Sequence, residues 1–323
     1  YWIIIPELRK TYSLLHSLAL THQALPMLAR THEQPASPTT LGKEFRNTAS
    51  RLKRQIKQLE NFTILVKLNG AVGNYNAHYA AYPNVDWIRF SRDFIEQFNS
   101  PMAMRLKANF LTTQIEPHDT YAELFDILKR IGNILIECNQ NMRRYISDGW
   151  IVQKKDPGEV GSSTMPHKIN PTDFETSKGR LLAANALFEF FSRTLPVSYL
   201  QRDLSDSTIE RSFGEAFGSA LVGYAYLQKG LEKISAHEQK MKEDLAGHPE
   251  VIAEALQTIL RREGIPDAYE KLKEYTRGKK VTHESMREYI DNLPISQKIK
   301  EELMRITPER YIGIADVLAE IED

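Results

Sequence analysis

Residues 119–146 constrain the fold more than any other stretch. Tyr121, Leu124, Phe125, Leu128, Ile131, Leu135, Cys138, Met142 and Tyr145 recur at spacings of three and four. Such spacing places them on one continuous stripe of a long helix, which must bury that stripe against other helices. Pro117 and Asp119 suit its start, because proline fits a first turn and an acid there meets the helix dipole favourably. Further long helices are expected after Thr39-Thr40 to about Leu68, over 172–191 and over 207–234, the last capped by Ser207 or a neighbour. Strand alternation is scarce. The expected fold is all-α: an elongated long-helix bundle over 1–234, then a smaller helical C-terminal domain over 235–323. In that second part, Gly247-His248-Pro249, Gly264-Ile265-Pro266, Gly278 and Leu293-Pro294 punctuate shorter segments as helix stops and starts.

Charge and composition narrow the function. The 42 Lys+Arg balance 42 Asp+Glu over 323 residues, which argues against a nucleic-acid partner, since that would need a basic excess. Clusters such as Arg51-Leu52-Lys53-Arg54 read as solvated helix faces. The single cysteine, Cys138, lies at a regular apolar position and reads as a small hydrophobe, leaving no disulfide framework and no cysteine-based zinc site. No apolar run is long enough to span a membrane and no signal peptide is visible, so the expected compartment is the cytosol. The chain opens at Tyr1 inside a helix-like pattern, as a fragment or a chain lacking its first part would.

Four strings carry chemistry. Gly161-Ser162-Ser163-Thr164-Met165-Pro166-His167-Lys168-Ile169-Asn170-Pro171 sets two hydroxyls beside a glycine, with a lysine and an asparagine following. A loop of this kind can aim several N–H groups at one spot, where a hydroxyl near Lys168 ionises more easily than in water. In Ala29-Arg30-Thr31-His32-Glu33-Gln34-Pro35-Ala36, His32 is expected in a loop before a helix. An imidazole can both donate and accept a proton, which suits transfer in either direction. In Thr112-Thr113-Gln114-Ile115-Glu116-Pro117-His118-Asp119, Gln114 offers a donor and an acceptor. The spacing of Glu116, His118 and Asp119 across a helix start does not suit a metal, and neither metal nor cofactor is expected. In Gln201-Arg202-Asp203-Leu204-Ser205-Asp206-Ser207-Thr208-Ile209-Glu210-Arg211, two arginines bracket a helix N-terminus, a phosphate or carboxylate site.

Together with Asn69-Gly70-Ala71-Val72-Gly73-Asn74-Tyr75-Asn76-Ala77-His78 and Tyr269-Glu270-Lys271-Leu272-Lys273, these strings make the chain resemble the adenylosuccinate lyases. The likeness is strongest to the bacterial type, within the fumarase/aspartase superfamily. The resemblance implies a carbon–nitrogen lyase that releases fumarate from adenylosuccinate, giving AMP, and from succinyl-aminoimidazole-carboxamide ribotide, giving AICAR. It implies Ser162 as catalytic base and His32 as general acid. Gln114, Ser163, Lys168, Asn170, Arg202, Ser207, Thr208 and Arg211 fall on substrate-contacting positions. It also implies a homotetramer with composite sites, and an N-terminal domain that this sequence does not contain. Relatives acting on argininosuccinate or malate, or a non-catalytic helical scaffold, are the alternatives. Three positions depart from the family pattern: Glu33 stands where glycine is usual, Thr176 where asparagine or arginine is common, and Pro101 to Phe110 reads as an altered or lengthened loop.

Overall fold

The computed structural model describes residues 1–101, 103–154, 169–267, 270, 272–273, 275 and 281–321. In chain order the first elements are α1 (Ile4–Thr21), β1 (Pro26–Thr31), β2 (Gln34–Thr40), α2 (Leu41–Glu60), β3 (Thr63–Val66), α3 (Asn76–Ala81), α4 (Trp87–Glu96) and β4 (Arg105–Ala108). Next come α5 (Asp119–Ser147), β5 (Ile151–Gln153), α6 (Thr172–Thr194), α7 (Ser205–Glu210), α8 (Phe213–Glu232), β6 (Ile234–Ala236) and α9 (Glu238–Ala246). A 3-10 turn (Pro249–Ile252), α10 (Ala253–Arg262), α11 (His283–Asp291), α12 (Gln297–Met304) and α13 (Ala315–Glu320) complete the order. Helices dominate, as the periodicity predicts.

Two compact units are discontinuous in sequence. The first comprises Tyr1–Leu14, Thr48–Arg144 and Lys155–Lys233; the second comprises Leu15–Asn47, Tyr145–Lys154 and Ile234–Asp323.

In the first unit, the predicted stripe of α5 is the core. Phe125, Leu128, Ile131, Leu135, Cys138 and Met142 are buried, and burial pushes the Cys138 thiol up to about 12. Phe125 meets Phe188 and Phe191 of α6 and Phe213 and Phe217 of α8, with ring centroids 5.1–6.1 Å apart. Each such buried ring contributes roughly 1.5–3 kcal/mol over an exposed one. Helices α6 and α8 run close together because α8 presents small residues to large ones on α6. A Cβ at Gly223 would come 2.7 Å from Leu181, and one at Gly230 would come 2.8 Å from Phe174. A short polar chain links α5, α6 and α8 through this interior. Asn139 donates to Ser177 Oγ (2.9 Å), and Ser177 donates to the Gly223 carbonyl (2.8 Å), so the Ser177 hydroxyl is satisfied on both sides.

Three departures from the expected elements have local causes. The helix after Thr40 ends at Glu60 rather than near Leu68, because the Asn61 side chain donates to the Lys57 carbonyl (2.8 Å) and closes the last turn. The chain then forms β3, which pairs in parallel with β4, so part of the 101–110 segment is a strand and not only a loop. The expected helix over 207–234 is two helices. Ser212 N–H reaches back to the Ile209 carbonyl (3.0 Å), tightening the end of α7 before α8 begins. Ser207 lies within α7 and does not cap it; the capping position is Leu204, with no side-chain hydrogen bond.

In the second unit, β1 and β2 form an antiparallel hairpin in which Thr31 pairs with Gln34 and Arg30 with Pro35. The two residues between are His32 and Glu33, at φ 52° and 63°. His32 therefore sits at the tip of a two-residue hairpin turn, not in a loop leading straight into a helix. Successive left-handed residues are what such a turn requires for its twist to match the strands. Below the hairpin, Trp150 is buried and donates from Nε1 to Asp244 Oδ2 (2.6 Å), while the Arg30 guanidinium lies 5.4 Å from the indole centroid. Helices α9, α10 and α11 end at Ala246, Arg262 and Asp291, beside the expected Gly and Pro stops; Gly278 lies outside the described residues.

Candidate active site

Three segments of the first unit converge through polar contacts. The backbone N–H of Gln114 donates to the Gln201 carbonyl (3.2 Å), joining the loop before α5 to the segment that leads into α7. The Gln114 carbonyl accepts from Lys67 Nζ (2.9 Å), which also donates to the Gly70 carbonyl (2.7 Å). Burial lowers the pKa of that lysine below its ordinary value. Asn69, fully buried, exchanges hydrogen bonds with Thr112 at 2.8 and 3.0 Å. Gly73, at φ 83°, lies so close to the Thr112 carbonyl that a Cβ would come within 2.2 Å of it. Only glycine fits there. The Gln114 peptide is thus held on both its N–H and its C=O while its side chain stays exposed.

The α7 segment is ordered by its own carboxylates. Asp206, buried, accepts from Ser207 N–H (2.7 Å) and lies 3.6 Å from an Arg202 guanidinium nitrogen. Arg202 also donates to Ser207 Oγ (2.9 Å). Thr208 and Arg211 are exposed. The segment therefore offers a cation, two hydroxyls and a second cation around one short helix, chemistry that fits an anionic group.

His118 links the two segments. Its side chain is buried, its φ is 64°, and its Nε2 lies 3.4 Å from Glu210 Oε1 on α7. Glu116 accepts from His118 N–H (3.0 Å) and from Asn109 Nδ2 (3.0 Å), which occupies the carboxylate that could otherwise suggest a metal ligand. No group of three or more His, Cys, Asp or Glu that could hold a metal ion occurs among the described residues. Burial, then Glu210, then Glu116 raise the Tyr121 pKa above its ordinary value.

Of the sequence-predicted site residues, Gln114, Arg202, Ser207, Thr208 and Arg211 lie on the two segments joined in this way. Asn170 stands just ahead of α6 in the same unit, its carbonyl accepting from Thr172 N–H (2.9 Å). Ser162, Ser163 and Lys168 lie outside the described residues. His32 belongs to the second unit and is exposed, as is Glu33. The sequence reading missed Lys67 and Glu210. Lys67 acts on backbone carbonyls, which leave no mark in side-chain patterns, and Glu210 reads as one more charge on a solvated helix.

The family model described as Lyase matches residues 2–187, and the model described as Adenylosuccinate lyase C-terminal matches residues 198–312. Similar curated proteins include the adenylosuccinate lyase of Haemophilus influenzae, 48% identical over 98% of this chain and 68% of the relative. Those of Escherichia coli and Dictyostelium discoideum are each 46% identical over 97% of this chain and 67% of the relative. The chain belongs to the adenylosuccinate lyase family. A solved structure, the 3-carboxy-cis,cis-muconate lactonizing enzyme of Pseudomonas putida, superposes with a TM-score of 0.73 over 98% of this chain and 70% of its own; at 22% identity it supports the fold alone. No helix among the described residues is long and apolar enough to cross a membrane.

Proposed function

We propose that this chain eliminates fumarate from adenylosuccinate, giving AMP, and from succinyl-aminoimidazole-carboxamide ribotide, giving AICAR. Ser162, as base, removes the proton beside a carboxylate of the succinyl group. The carbanion that forms is a doubly charged aci-carboxylate, so it needs converging donors, supplied by Ser163, Lys168 and Asn170. His32, as acid, protonates the departing nitrogen as the carbon–nitrogen bond breaks. The proton taken by the base and the one given by the acid balance, and neither metal nor redox cofactor enters. Gln114, Arg202, Ser207, Thr208 and Arg211 bind substrate carboxylate or phosphate. The observation that supports this reading is the hydrogen bond joining the Gln114 loop to the Gln201–Arg211 segment, because those two strings carry a neutral amide, two guanidinium groups and two hydroxyls suited to an anion.

Working enzyme is a cytoplasmic homotetramer whose sites are completed by neighbouring subunits, with no nucleic acid or membrane partner. Along the chain, 1–234 forms the central bundle domain and 235–323 the C-terminal domain. The ultraviolet change on adding adenylosuccinate tests the activity. Turnover by the unaltered chain, falling about 10²–10⁴-fold in Ser162→Ala, is the expected result for loss of a general base. Turnover that survives the substitution would remove Ser162 from that role.

A further inference from the structure

We infer that His118 and Glu210 are a positioning pair that sets the spacing between Gln114 and the Arg202–Arg211 array, and so governs how tightly substrate is held. The inference rests on the anion-binding reading of that array. His118 has features that a helix-start residue does not need. Its backbone is held at φ 64°, a conformation disfavoured for a residue with a Cβ. Its ring is buried, and the only charged contact the ring makes among the described residues is the one with Glu210, at 3.4 Å. Strain of this kind persists where surrounding contacts over-determine it, and here those contacts are identifiable. Glu116 fixes the His118 N–H, and the Tyr121 ring lies 5.1 Å from the imidazole. The bend turns the imidazole toward α7 instead of along α5.

Glu210 lies on the same short helix as Ser207 and Thr208, one residue before Arg211. A contact that fixes Glu210 therefore fixes the helix bearing the proposed ligand groups. The second tie between the segments, Gln114 N–H to the Gln201 carbonyl, lies at the other end of the array. With Gln201 held by Gln114 and Phe213 packed on Phe125, the His118–Glu210 contact fixes the tilt of α7 between those two anchors. Neither His118 nor Glu210 is required to touch substrate. Their effect should fall on binding, because the proton-transfer groups are elsewhere in the chain.

The experiment compares His118→Gln, Glu210→Gln and the double variant of the full chain, measuring KM and kcat with adenylosuccinate and thermal melting in parallel. Each single variant is expected to raise KM about tenfold, the equivalent of about 1.4 kcal/mol, with kcat within about twofold. The double variant should be no worse than the weaker single, since both changes break one contact. KM effects that multiply in the double variant would overturn the pairing. A lowered melting temperature with KM unchanged in Glu210→Gln would make the contact merely structural and would also overturn it. An active unaltered chain whose variants keep their KM removes this inference alone, whereas an unaltered chain without turnover removes the lyase reading and this inference with it.

Discussion

His32–Glu33 and His118 are both held at positive φ, but by opposite means. At the hairpin tip both side chains are exposed, and the conformation is imposed by the backbone: Thr31 pairs with Gln34, leaving two residues to reverse the chain. At His118 the side chain is buried, and the conformation is imposed by neighbours, Glu116 on the N–H and Glu210 on the ring. A turn closed by its strands leaves its side chains free for chemistry. A bend closed by side chains has already used them, and serves position. The two histidines look alike in sequence, each in a polar string near a helix; they part in what holds their backbone.

The sharpest way to test that contrast is His32→Gln. If the imidazole is free to act as the acid, kcat should fall about 10²–10⁴-fold, while the denaturant midpoint stays within error because an exposed turn side chain contributes little to folding. Steady-state kinetics and urea unfolding on the same samples check both halves. A loss of stability matching the loss of activity would mean that His32 is structural after all, and the contrast with His118 would collapse.

A smaller effect tests the support beneath the hairpin. Burial opposes ionisation of Asp244, but hydrogen bonds from Lys240 Nζ (2.7 Å) and Trp150 Nε1 (2.6 Å) outweigh it and hold the carboxyl below its ordinary range. A carboxyl whose folded pKa is depressed adds stability above its unfolded value, about 3.9. It loses that stability as pH falls through the lower folded value. At pH 7, Asp244→Asn should therefore lower unfolding free energy by about 1 kcal/mol, one charge-assisted hydrogen bond in part-exposed surroundings. The gap between variant and unaltered chain should close on acidification below about pH 4. Urea melts at several pH values read this directly, and a gap independent of pH would show that packing of the side chain, not its charge, supports Trp150. The predicted activity cost is small, since the hairpin tip is closed by its own pairing.

How much of this was legible beforehand follows the same division. The α5 stripe announced its helix to within a residue, and α6 began where expected, because long amphipathic periods have few alternative readings. The hairpin did not announce itself. Pro26, Pro35 and Pro38 interrupt any alternation in β1 and β2, and each argues against a strand unless pairing uses the other edge. Thr63–Val66 reads as a continuation of the preceding helix, since so short an apolar run fits either period. The site strings stood out as strings, while the ties between them did not. Gln114 N–H to Gln201 C=O and Lys67 to the Gln114 carbonyl involve backbone atoms that every residue carries, so no side-chain pattern could point to them.

Glu33 offers the smallest and most direct test of what holds the hairpin tip. Its φ of 63° is one that glycine adopts freely. A left-handed residue with a Cβ costs roughly 1–2 kcal/mol, while glycine loses roughly 0.5–1 kcal/mol more conformational entropy on folding. The difference leaves Glu33→Gly more stable by about 0.5 kcal/mol, visible as a slightly higher urea midpoint. Activity should change little, because the exposed carboxylate is not part of the turn's closure. If the variant is instead less stable, the Glu33 side chain must hold the tip, and the His32 turn would belong with His118, among bends fixed by side-chain contacts.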